Sequence, residues 1–168
     1  MNKTTKRIAL LGIATTLALI LSYVEALLPP ISGAVPGIKM GLPNVVILFC
    51  LYRLNWKDAA LVSALRLVLV FLLFGNSMGF LYSLAGATLS LVAMSLLKRW
   101  DKLSIVGVSV VGGILHNLGQ VLMAILLLGV KEIGYYMILL TISGTLAGVL
   151  VGIAGGLLLR YTKRLPLI

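Results

Sequence analysis

Residues 134–159 read GYYMILLTISGTLAGVLVGIAGGLLL, a run with no charged residue. A helix rises about 1.5 Å per residue, and about 20 mostly apolar residues cross the hydrocarbon layer of a bilayer. This run is long enough to span it. Outward from it, five more apolar runs cover about 7–28, 41–54, 59–74, 78–97 and 103–129. Pro29-Pro30 stops the first. Asn55-Trp56-Lys57-Asp58, Gly75-Asn76-Ser77, Lys98–Lys102 and Lys131-Glu132 mark the later turns. The second run is short and open to a partly re-entrant reading. The expected fold is an all-α integral membrane protein, with one transmembrane domain over 1–168 built as a six-helix bundle.

Composition agrees. Of 168 residues, 61% are hydrophobic and 11% charged, whereas soluble domains have roughly 45–50% apolar and about 25% charged residues. The net charge of +10 falls in short clusters between apolar runs, with no basic face interleaved with aromatics, so nucleic-acid binding is excluded. Six spans put Lys3, Lys6, Arg7, Arg53, Lys57, Lys98, Arg99, Lys102, Arg160, Lys163 and Arg164 on one side, and only Lys39 and Lys131 on the other. By the positive-inside rule both termini are expected in the cytoplasm, and the location is the cytoplasmic membrane. The apolar stretch after the basic N-terminus reaches Leu28 without a small-residue cleavage site, which reads as a retained first helix. The single cysteine, Cys50, has no internal disulfide partner and reads as a small lipid- or helix-facing residue.

Two faces are lined by small residues. Ala14, Ala18, Ser22 and Ala26 recur every fourth residue in the first helix, and Gly144, Gly148, Gly152 and Gly156 do so in the sixth. Such faces let helices approach closely in lipid. The glycines read as packing within the bundle. The alanine face reads equally as packing or as a surface for another protein.

Polar residues at membrane depth are functional candidates. Arg66 lies about 13 Å above Lys57 along its helix. Glu25 falls near the outer end of the first helix, and His116, Asn117 and Gln120 in the outer half of the fifth. Asn44 opens the second helix and Asn76 closes the third, while Tyr82, Tyr135 and Tyr136 read as lying near the outer surface. Together, Lys39, Asn44, Arg66, Asn76, His116, Asn117 and Gln120 form the candidate ligand set. The expected pocket is built by helices 3 to 6, capped by the Pro29–Met40 loop and suited to a small polar or anionic molecule. In the competing reading, Glu25 and Arg66 neutralise each other and the amides brace helices.

No phosphate-binding loop is present, so the chain has no ATPase motif of its own. With one histidine and four acids, Glu25, Asp58, Asp101 and Glu132, no catalytic pair, metal centre or cofactor is expected, and the chain reads as a non-enzyme.

The stretch Pro36-Gly37-Ile38-Lys39-Met40-Gly41-Leu42-Pro43-Asn44, with Leu51-Tyr52, Lys57-Asp58-Ala59 and Arg66, resembles the Gx transporter family. That family is also labelled heptaprenyl diphosphate synthase component I. It is similar to the substrate-binding (S) components of energy-coupling factor (ECF) transporters. The resemblance implies a six-helix membrane protein that binds a vitamin-like micronutrient or precursor from outside. Its implied partners are a transmembrane coupling subunit and two cytoplasmic ATPases. Ala14 and Ala18 match the A-x-x-x-A-like face that meets the coupling subunit in such components. The synthase label implies a second role, as a membrane subunit of prenyl diphosphate or menaquinone synthesis. The chain lacks the aspartate-rich motifs of prenyl synthases. A stand-alone secondary carrier is the weakest reading, since apart from Glu25 and Arg66 neither a proton-relay chain nor a clear inverted repeat is evident.

Overall fold

The computed structural model describes residues 2–27, 39 and 41–163. Apart from Lys39, the Pro29–Met40 loop lies outside the described residues, as does Arg164. The described elements are α1 (Lys3–Leu27), α2 (Asn44–Arg53), α3 (Trp56–Leu73), α4 (Ser77–Trp100), α5 (Ile105–Leu128), a 3₁₀ segment (Lys131–Tyr136) and α6 (Met137–Thr162). Four stretches are long and apolar enough to cross a membrane: Thr4–Leu27, Ser77–Trp100, Ile105–Leu128 and Lys131–Thr162. Large apolar side chains face outward along them, among them Leu126, Ile138 and Leu150. The chain is a multi-pass membrane protein.

Local chemistry sets the helix starts. Asn55 accepts from Asp58 N, Asn76 from Gly79 N and Ser104 from Gly107 N, each satisfying an otherwise orphaned donor. Trp56, Lys57 and Asp58, expected in a turn, therefore form the first turn of α3. Asn76, expected to close the third helix, opens α4. Gly129 ends α5 at φ +69°, a left-handed conformation that glycine adopts without the cost of a Cβ.

Basic residues gather at one end. Arg7 pairs with Asp58 at 2.6 Å, Lys98 Nζ donates to Leu51 O at 2.6 Å, and Arg53 Nη2 reaches Thr162 O at 3.4 Å. These contacts bring together the start of α1, the end of α2, the start of α3 and the ends of α4 and α6.

The core sits around the shortest helix. Ten residues give α2 a length of about 15 Å, half the roughly 30 Å hydrocarbon layer. Val46, Leu48, Cys50 and Leu51 are nonetheless almost fully enclosed by α1, α3, α4 and α6. The backbone before α2 lies beside His116, halfway along α5. It therefore enters the bundle interior. Non-helical backbone at such depth persists only where protein satisfies its polar groups.

The glycines of α6 pack on α5. A Cβ on Gly148 would lie 2.6 Å from Val110 Cα, and one on Gly152 2.7 Å from Val106 Cα. A Cβ on Gly156 would meet no described residue within 4 Å. Ala14 and Ala18 are 5% and 0% exposed, in the side of α1 that packs on α2 and α3. This corrects their reading as a partner-contact face: small side chains let α1 close onto the bundle, and the closure hides them. Tyr82 is also corrected. It is 2% exposed and packs with Val121, Ala124 and Leu140, not in a surface belt.

Candidate functional site

The stretch leading into α2 is held by two side chains from distant helices. Gln120 Oε1 accepts from Lys39 N at 2.8 Å, and Gln120 Nε2 donates to Lys39 O at 3.0 Å. Glu25 Oε1 accepts from Gly41 N and Leu42 N. These bonds satisfy backbone that would otherwise be orphaned in the bundle interior. They also explain two polar residues at membrane depth without a ligand. Gln120→Leu is expected to cost about 1–3 kcal/mol by orphaning the Lys39 peptide. At roughly 2–4 °C per kcal/mol for a chain of this size, thermal unfolding in detergent reads this as a fall of several degrees. An unchanged midpoint would remove the clamp from the account.

Arg66 lies near the middle of α3 and is 4% exposed. Nη1 donates to Ser22 Oγ at 3.4 Å, and Ser22 in turn donates to Ala18 O at 2.9 Å. Arg66 Nε and Nη2 have no partner among the described residues. Glu25 and Lys39 are both close enough to act on one another electrostatically and to feel Arg66. Glu25 and Arg66 thus neutralise each other in part, but no ion pair joins them among the described residues.

Beside Arg66 lies a cavity of about 230 Å³. Ala26 of α1, Lys39, and Leu67, Val70 and Phe71 of α3 form part of its wall. Phe74, Gly75 and Asn76 of the α3–α4 turn, with Gly79, Phe80 and Ser83 of α4, form the rest of its wall among the described residues. Of the candidate ligand set, the structure brings Lys39, Arg66 and Asn76 to this cavity. The other four lie elsewhere. Gln120 holds the Lys39 peptide. Asn117 Nδ2 donates to Leu140 O at 2.7 Å, tying α5 to α6. His116 is 2% exposed and packs between Gly41 and Gly86. Asn44 borders a void of about 10 Å³ with Ser109, Gly112 and Gly113, about the space of one water. The cavity is therefore walled by α1, α3 and α4, whereas helices 3 to 6 were expected. The reason is that α5 packs too closely on α4 and α6, through glycines, to leave room between them.

The aromatic walls did not enter the sequence reading, although a signal was present. Three of the four phenylalanines, Phe71, Phe74 and Phe80, fall within ten positions around the α3–α4 turn. A larger groove of about 420 Å³ lies between α3 and α4. Its lining, from Trp56 and Arg99 to Leu67 and Leu84, is mostly apolar or small, with few donors to orient a ligand.

A family model matches residues 14–158, under the description heptaprenyl diphosphate synthase component I. The chain belongs to the heptaprenyl diphosphate synthase component I family. The match takes in every described helix from Ala14 onward, up to Leu158 of α6, and all seven candidate ligand residues. No curated protein and no solved structure matches the chain significantly.

Proposed function

We propose that this member of the family is the substrate-binding membrane component of an ECF-type transporter, taking up a small anionic micronutrient or precursor. The observation that carries this reading is the enclosed guanidinium of Arg66, with two nitrogens that have no partner among the described residues, at a cavity shared with Lys39. A buried unpaired cation is costly in a membrane protein, and an anion in the cavity offsets that cost. In this reading the chain crosses the cytoplasmic membrane six times with both termini inside, and catalyses no reaction. A coupling subunit and two cytoplasmic ATPases supply the energy. Because Ala14 and Ala18 face inward, the coupling subunit docks on another surface. On α1 the exposed face is Gly12, Ile13, Thr16, Leu17 and Ile20.

The test is co-purification from solubilised membranes together with mass spectrometry of small molecules released on denaturation. ATPase and coupling subunits in the eluate, with a released organic anion, support the proposal. A soluble prenyl synthase in their place supports the second reading, favoured by the family's description: a membrane subunit of prenyl diphosphate or menaquinone synthesis.

Affinity should also depend on pH. Burial pushes the Lys39 ammonium below the usual lysine range; Glu25 opposes this, and Arg66 adds to it. Lys39 therefore sheds its proton at a lower pH than a solvated lysine. Anion affinity is full below that pKa and falls as pH rises through it. Titration of binding between neutral and alkaline pH checks this, and Lys39→Arg should abolish the fall.

A further inference from the structure

The charges around Arg66 limit what its cavity can hold. Lys39 and Arg66 are the ionisable groups among the described lining residues, and Glu25 is the carboxylate acting on both. Two cations and one carboxylate leave a net charge of +1. Residues 28–38 contain no ionisable side chain, so that stretch leaves the sum unchanged. One negative charge neutralises the cluster, whereas a multiply charged diphosphate would leave buried negative charge without a partner.

The walls limit the body of the ligand. Phe71 and Phe80 meet at 5.0 Å between ring centroids. Phe74 is held edge-on by Tyr23 at 5.4 Å. These contacts fix the rings before any ligand arrives. A volume of about 230 Å³ lies below the roughly 300–1,000 Å³ of pockets for drug-sized molecules. At the α3–α4 turn, Asn76 Oδ1 is taken by Gly79 N, which leaves the amide NH₂ as a donor.

Resting on the proposed anion-binding role, we infer that the cavity selects a small monocarboxylate carrying one flat aromatic-sized ring. Its carboxylate meets Arg66, and its ring packs on Phe71 and Phe80. A long-chain prenyl diphosphate does not fit this site in charge or in size.

Calorimetry on the purified full chain, with benzoate, acetate, phthalate, benzamide and inorganic diphosphate as probes, tests the assignment. Benzoate should bind at least about tenfold more tightly than acetate, since aromatic contacts add stabilisation beyond buried area. Benzamide, phthalate and diphosphate should bind more weakly than benzoate. Phe80→Ala should lower benzoate affinity about tenfold and leave acetate unchanged. Glu25→Gln keeps an acceptor for Gly41 N and Leu42 N and raises the net charge by one, so phthalate should gain on benzoate. Equal binding of acetate and benzoate, both lost in Arg66→Met, overturns the ring and leaves the anion-binding role standing. Diphosphate binding tighter than benzoate overturns the monoanion. Binding of no anion at all overturns both.

Discussion

Arg66→Met abolishes anion binding and leaves the fold as stable as before, or more so. The guanidinium is enclosed, makes one long hydrogen bond and has two nitrogens unpartnered among the described residues. Replacing a whole buried ion pair with apolar side chains is often neutral or stabilising by about 1–4 kcal/mol, and a buried cation with incomplete hydrogen bonding carries a desolvation cost that an apolar side chain removes. Glu25 is not stranded by the change, because Gly41 N and Leu42 N still donate to it. The ligand loses a desolvated charge partner, which costs about 2–5 kcal/mol and so roughly 30-fold or more in affinity. Affinity for an anionic probe and the thermal midpoint, measured on the same preparation, separate the two roles. A lower midpoint together with lost binding would make Arg66 a structural counter-charge to Glu25, and unchanged affinity would remove it from the site.

The second large effect concerns the α5–α6 seam. Gly148→Leu inserts a side chain where a Cβ alone would stand 2.6 Å from Val110 Cα and 2.9 Å from Ser109 O. Both neighbours are backbone and cannot turn aside, so the helices must separate. Overpacking against flexible side chains costs about 1–3 kcal/mol; against backbone the loss is larger, and helix separation also breaks the Asn117–Leu140 bond between α5 and α6. The expected fall in thermal midpoint exceeds roughly 10 °C at about 2–4 °C per kcal/mol, with poor recovery of folded protein from detergent. Gly156→Leu, two turns further along the same stripe, meets no described residue within 4 Å and should leave the midpoint within about 2 °C, as surface changes usually do. Equal effects at the two positions would mean that α6 packs through a different face.

That pair of glycines shows where sequence and structure part. Period-four spacing places Gly144, Gly148, Gly152 and Gly156 on one helical face, since side-chain direction repeats with the helix. It does not say where the neighbouring helix crosses and departs. The same limit applies to Ala14 and Ala18. Their spacing marks a close approach, but whether the approaching helix belongs to this chain or another depends on three-dimensional packing.

The membrane class, the all-helical fold and the clustering of basic residues between apolar runs were legible in the sequence, because hydrophobic length and charge are local properties that a bilayer reads directly. Arg66 was legible too, since a charge within an apolar run stands out without any fold. Only the tertiary structure divided the polar candidates between clamp and cavity. Gln120 and Glu25 turn to the backbone of Lys39, and of Gly41 and Leu42, across 81 and 16–17 residues of chain. Lys39, Arg66 and Asn76 are left facing a space that exists only because α4 leans towards α5, whose glycines admit close contact, more than towards α3. Hydrogen-bond partners distant in sequence, and the voids left between helices, are properties of packing, and the order of residues along one chain does not encode them locally.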